Sequence, residues 1–269
     1  MRYITIIISS SKAIIRRFAA PTGEFEYEVS CMNRNPWSEF EQATMKFNEN
    51  LVDGLIRQPA NAWTNCSYLI VGVVLLCIIR KRRERTILAA LPVISLLVGF
   101  SSFLYHASNT FFFQVFDLAS MYLFSSIVIS LNLYRSGRLG AGRVLPVFAV
   151  IFLACVLVLL LIRGKIGAVL FGIGIAVAIA QELFLAVKNI GRISYRYYLC
   201  ALAAFIAAFA FWLADYNNLP LFGRDDHIMQ GHGLWHIINS MCFFFIYLFY
   251  RQFDWGRSAV GAGEHSRFS

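Results

Sequence analysis

Charge is what this sequence has little of. Asp, Glu, Lys and Arg make up 14% of its 269 residues, against about 25% in soluble domains, so most of its surface faces something other than water. Sustained alternation of polar and apolar residues is also missing, which excludes an outer-membrane barrel. Cysteine has no pattern. Cys31, Cys66, Cys77, Cys155, Cys200 and Cys242 contain no CxxC pair, mostly sit in apolar runs and read as small hydrophobes. There is no repeat of fixed period and no low-complexity tract. Histidine is scarce, with five in the whole chain.

What the chain does have is long apolar runs, 58% of it being hydrophobic. Each run approaches the roughly 20 residues that a bilayer-crossing helix needs. The runs predict seven spans, at 62–80, 86–106, 114–134, 144–162, 166–187, 197–214 and 232–250. The expected fold is therefore all-α, a polytopic bundle of seven transmembrane helices in one domain, residues 61–251. An N-terminal segment, 1–60, precedes it and a short polar tail, 252–269, follows. Within 1–60, the stretch MRYITIIISSSKAIIRRF is broken by Lys12, Arg16 and Arg17. It is too short to span and has no small-residue cleavage site. It predicts a surface-lying amphipathic segment or a start codon set too early. Residues 21–60, with Pro21, Pro36 and Pro59, read as loop with short helical pieces.

The formal charge of +9 does not point to nucleic acid, because the excess sits in short loops between apolar runs, as topology signals do. Arg80, Lys81, Arg82, Arg83 and Arg85 follow the first span. Arg135, Arg138 and Arg143 follow the third, and Lys188, Arg192 and Arg196 the fifth. The alternate loops hold only Arg163, Lys165 and Arg224. This bias predicts an N-terminus outside and a C-terminus in the cytoplasm, with Lys12, Arg16 and Arg17 running against it.

That orientation places the polar residues of the spans at one depth. At about 1.5 Å per residue, His106 lies roughly 31 Å from Arg85 and Ser102 roughly 25 Å. Asp117 lies roughly 27 Å from Arg135, and His232 and His236 roughly 28 and 22 Å from Arg251. All five fall in one slab near the non-cytoplasmic face. Residues four apart on a helix share a face, so Ser102 pairs with His106 and His232 with His236. Three imidazoles from two helices can converge on one metal ion, leaving the fourth tetrahedral position open as in catalytic zinc sites. Asp117 fits either of two roles: accepting the free N–H of a ligand imidazole, or handling the proton of an attacking water. Ser102 could donate to a developing oxyanion.

Each of these residues also has a plainer reading. A lone intramembrane histidine can be a helix–helix hydrogen-bond partner, and a lone serine a packing residue. An intramembrane Asp favours function because charge at that depth is costly. Asp215, ending the sixth span with Trp212 in FWLADY, reads either as support for the site or as a hydrated helix end. Asn239 reads as a bond to a neighbouring helix, and Gln181 and Glu182 lie too far toward the other end to belong to the site. The Phe-rich runs read as lipid-facing or packing surface. HxxxH also occurs in haem-binding helices, so a haem electron-transfer protein stands beside the zinc reading.

The order of these residues resembles the alkaline ceramidase family, within the superfamily of seven-span zinc hydrolases that includes the progestin and adiponectin receptors. The matching pieces are SFLYH at 102–106, Asp117 eleven residues later, and HGLWH at 232–236. ANAWTNCSYLIVG at 60–72 resembles the family's first span and FWLAD its sixth. The resemblance implies a zinc-dependent membrane amidase that cleaves ceramide to a sphingoid base and a fatty acid. It implies zinc on His106, His232 and His236, with Ser102 and Asp117 in catalytic support. The superfamily's receptor branch keeps a second reading open, a lipid receptor or sensor with the same zinc site and little turnover. The family's animal enzymes carry an acidic calcium-binding N-terminal box with a further Glu at the head of the first span. Here the corresponding places hold Glu49, Asn50, Asp53 and Asn61, too few carboxylates for a strong calcium site. Glu49 and Asn61 are expected to order the N-terminal segment instead.

Overall fold

The computed structural model describes residues 4–8, 13–19, 25–31, 35–82, 87–162, 166–188, 193–219, 221–253 and 255. Lys12, Pro21, Arg83, Arg85, Arg163, Lys165, Arg192, His265 and nearly all of the tail lie outside them, so the charge count across the loops remains a property of the sequence.

The chain is built on helices: α1 (Pro59–Trp63), α2 (Cys66–Arg82), α3 (Ala90–Ser108), α4 (Phe111–Arg135), α5 (Val144–Leu161), α6 (Ile166–Lys188), α7 (Arg196–Tyr216) and α8 (Gly231–Tyr250). A single turn at Thr64–Asn65 joins α1 to α2, so the two count as one crossing. Among the described residues, seven segments are then long and apolar enough to cross a membrane, each overlapping one expected span. Exposed Ile70, Val150, Leu157, Val169 and Ile206 on their outer surfaces are what a lipid-facing bundle presents. α4 and α8 are the most enclosed crossings and α5 the least.

In lipid, helices are not driven together by the hydrophobic effect, so close packing and buried hydrogen bonds must hold them. α4 shows this in a column of buried Ser120, Ser125, Ser126 and Ser130. α3, α5 and α6 pack against α4, while α8 packs along α7 and against α2. The backbones of α6 and α7 stay apart, and side chains of both line the apolar cavities between them.

The N-terminal region departs from the sequence reading. It forms three strands: β1 (Ile4–Ile8) and β2 (Ala13–Ala19) in place of an amphipathic surface segment, and β3 (Phe25–Cys31) within the stretch 21–60 that reads as loop with short helical pieces. They pair as an antiparallel meander in the order β1–β2–β3, with Arg16 in register with Glu28. The signal was local: FEYEVSC alternates apolar and polar residues, and ITIII is rich in β-branched residues, both strand habits. Residues 35–58 are loop and turns, as expected.

Candidate metal centre

Three histidines meet at one end of the bundle. His106 lies in the last turn of α3, and His232 and His236 lie in the first two turns of α8. All three are buried, and their ligand-capable nitrogens lie within 4.8 Å of one another. His106 Nε2 and His232 Nε2 are 3.2 Å apart. Two nitrogens on one tetrahedral zinc, each about 2.0–2.1 Å from the ion, stand about 3.3 Å from each other.

The other ring nitrogens decide which way the lone pairs face. Gln58 Oε1 lies 2.8 Å from His106 Nδ1. The Thr64 hydroxyl, which donates to Ala60 O and Asn61 O, lies 3.0 Å from His236 Nδ1, and Asn61 O also accepts from this ring. With Nδ1 carrying the proton on both rings, Nε2 is left bare. His232 Nδ1 is buried without a hydrogen-bond partner among the described residues. The donor set therefore fits a divalent cation of the zinc type.

Local sequence sets these positions. α3 and α4 are joined by Asn109 and Thr110 alone. Asn109 takes a left-handed conformation, φ 53°, which Asn tolerates better than most residues. Thr110 caps α4 by accepting from Phe113 N. So tight a link holds His106 and Asp117 at the same end of adjacent helices. α8 has no cap of its own; Asp215 at the end of α7 supplies one. Its carboxylate accepts from His232 N at 2.9 Å and from Gly231 N, two of the donors that a helix start leaves unpaired. Its other oxygen accepts from Asn48 N at 2.9 Å. A side chain at position 231 would put its Cβ 3.1 Å from both Asp215 Cβ and Phe211 O, so glycine permits this approach. Asp215 is buried, not a hydrated helix end.

Ser102 and Asp117 line the same cavity as His232 and His236, and the Ser102 hydroxyl donates to the Asp117 carboxylate. The cavity is otherwise apolar. It shares Phe124, Ile175, Phe205 and Cys242 with a second apolar cavity deeper in the bundle. Asn239 donates to Tyr68 Oη at 2.9 Å, the helix-to-helix bond expected of it. Glu182 belongs to the opposite end, paired with Arg135.

Two parts of the surroundings carried no clear sequence signal: Thr64, and, Glu49 apart, the strap formed by residues 41–58, which ends on Gln58. The strap lies across the histidine end, with Ala43 N on Asn109 O and Asn50 N on Arg224 O. Phe47 stacks on the His232 ring, centroids 3.7 Å apart, and Met45 and Phe47 line the cavity. Glu49 pins the strap to the head of α1. Its carboxylate accepts from Ala60 N at 2.9 Å, Asn61 N at 3.0 Å and His227 Nδ1 at 3.1 Å. Burial pushes this carboxyl above its usual range, against the pull of those three donors. Glu49 thus orders the N-terminal segment as the sequence led one to expect, whereas Asn61 contributes to this only its backbone N–H, its buried side-chain amide having no hydrogen-bond partner among the described residues.

Residues 52–263 match the family model described as Ceramidase. No curated protein matches the chain by sequence.

Proposed function

The chain belongs to the ceramidase family, and on that footing we propose that it is a zinc-dependent integral-membrane amidase. Its substrate is ceramide or a related N-acyl lipid, hydrolysed to a sphingoid base and a fatty acid. One observation carries this reading: three buried imidazoles converge at the head of an apolar cleft that also holds Ser102 and Asp117.

His106, His232 and His236 would hold the ion. Zinc there would supply Lewis acidity, polarising the amide carbonyl and making water acidic enough to attack near neutral pH. Gln58 and Thr64 already occupy the Nδ1 atoms of His106 and His236, so Asp117 is not their tautomer partner and is free to move protons. It accepts one from the attacking water and returns it to the amide nitrogen as the C–N bond breaks. Ser102 donates to that carboxylate and holds it toward the cavity. The strap, through Met45 and Phe47, shields the site from bulk water, which strengthens every charge interaction inside it.

A lipid chain suits the cleft below. From Asp117 in the upper cavity to Val128 in the lower is roughly 16 Å along α4, about half the ~30 Å thickness of a bilayer's hydrocarbon core. By the positive-inside bias, residues 1–60 and the histidine end lie on the non-cytoplasmic side, residues 61–251 form the hydrolase domain, and the tail after 251 is cytoplasmic.

The test is metal analysis of the purified protein together with release of fatty acid from labelled ceramide. Stoichiometric zinc and turnover are expected, and His232→Ala should lose both. Zinc with tight lipid binding and no product would favour the receptor reading. A Soret band would replace zinc with haem.

A further inference from the structure

We infer that Gln58 is a positioning residue for the metal centre, fixing which nitrogen of His106 carries the proton and tying that ligand to the strap. The inference rests on the metal-site reading above. Gln58 is buried and immediately precedes Pro59, the first residue of α1. Its amide is orientated by its other end, since Nε2 donates to the Glu49 carbonyl at 3.2 Å. The reverse orientation would set oxygen against oxygen. Oε1 therefore faces His106 Nδ1, 2.8 Å away, and an oxygen acceptor there demands a proton on Nδ1. That leaves Nε2 bare, and Nε2 is the atom 3.2 Å from His232.

The backbone doubles the link. Gln58 N donates to His106 O at 3.1 Å and Arg57 N to Ala107 O at 2.9 Å, satisfying carbonyls that a helix end leaves without intrahelical partners. Side chain and main chain of one residue thus hold the same ligand at ring and backbone. The arrangement is unequal among the three histidines. His236 is held by Thr64 of its neighbouring crossing, and His232 Nδ1 has no hydrogen-bond partner among the described residues. The strap stacks Phe47 on the His232 ring, but of the three rings it hydrogen-bonds that of His106, through an amide whose far end rests on Glu49.

Acceptors of this kind keep the ring plane and raise the basicity of the ligating nitrogen, and their loss typically costs about 10- to 100-fold in metal affinity. The experiment measures zinc affinity by chelator competition on full-length wild type, Gln58→Leu, Gln58→Met and Gln58→Glu, with thermal melting of each metal-free protein alongside. Leu and Met should weaken zinc binding about 10- to 100-fold, and Glu, which keeps the acceptor, should restore it to within a few-fold of wild type. If the Leu protein is not recovered folded, the comparison of Met with Glu decides the matter. Affinity unchanged in Leu or Met, or lost equally in Glu, overturns the inference. Wild-type protein that takes up no divalent cation overturns both this inference and the metal-site reading. Wild type that binds zinc tightly but cleaves no amide overturns the amidase alone.

Discussion

At the scale of single residues, the candidate site divides by what each side chain touches. The three histidines face one another, whereas Ser102 and Asp117 face the cavity and each other. Changes to the two groups should therefore separate in the laboratory. Asp117→Asn is expected to keep its zinc and lower kcat by about 10²- to 10⁴-fold, the usual range for a lost acid–base group. Ser102→Ala should lower kcat by less, since it removes only a donor to that carboxylate. Metal content and steady-state kinetics on the same preparations check both, and loss of zinc from Asp117→Asn would move Asp117 among the ligands. Asp215 acts through the backbone instead. Asp215→Ala should cost about 0.5–2 kcal/mol as a lost helix cap, read as a lower melting temperature, and should weaken zinc binding because His232 sits in the turn it caps.

At the scale of elements, the separation of α6 and α7 is the feature with most bearing on substrate. Gly172 of α6 and Phe209 of α7 both line the cavity and are both exposed on the bundle's outer surface, so the cavity opens sideways where these helices part. Phe205, Phe209, Trp212 and Tyr216 form a stacked ladder along α7. The i, i+4, i+7 spacing of the first three puts them on one face. A Cβ at Gly172 would meet nothing within 4 Å, whereas one at Gly174 would come within 2.9 Å of Ser125. Gly172→Trp is therefore expected to fold and to block the opening, cutting hydrolysis of long-chain N-acyl substrates at least tenfold while sparing short-chain ones. Equal loss on both would show that chains do not pass Gly172. Gly174→Trp is expected to lower the melting temperature, since α6 would be forced off α4.

At the scale of the whole molecule, the two ends of the bundle do different work. The end opposite the histidines is held by a buried Arg135–Glu182 ion pair, with Arg135 Nη2 3.1 Å from Glu182 Oε1. Tyr195 Oη donates to Glu182 at 3.0 Å, Arg135 reaches Asn132, and Tyr250 Oη donates to Asn132 at 2.8 Å. The Phe253 ring lies 3.8 Å from the Arg135 guanidinium. This network joins α4, α6 and α8 to the start of α7. Removing one partner strands a buried charge, so Glu182→Ala should destabilise the fold by about 3–5 kcal/mol. The double variant Arg135→Met/Glu182→Leu should recover much of that loss, as thermal melting in detergent would show. The seven crossings, the sharing of one end by Ser102, His106, Asp117, His232 and His236, and the likeness to the ceramidases were legible in the sequence alone. Hydrophobic run length and helical spacing are local properties, and each crossing must satisfy its own backbone in lipid. The partners of those residues were decided only by the tertiary structure. Gln58 on His106, Phe47 on His232, Asp215 capping α8 and Glu182 on Arg135 join positions far apart in the chain, and no local periodicity encodes which helix comes to rest against which.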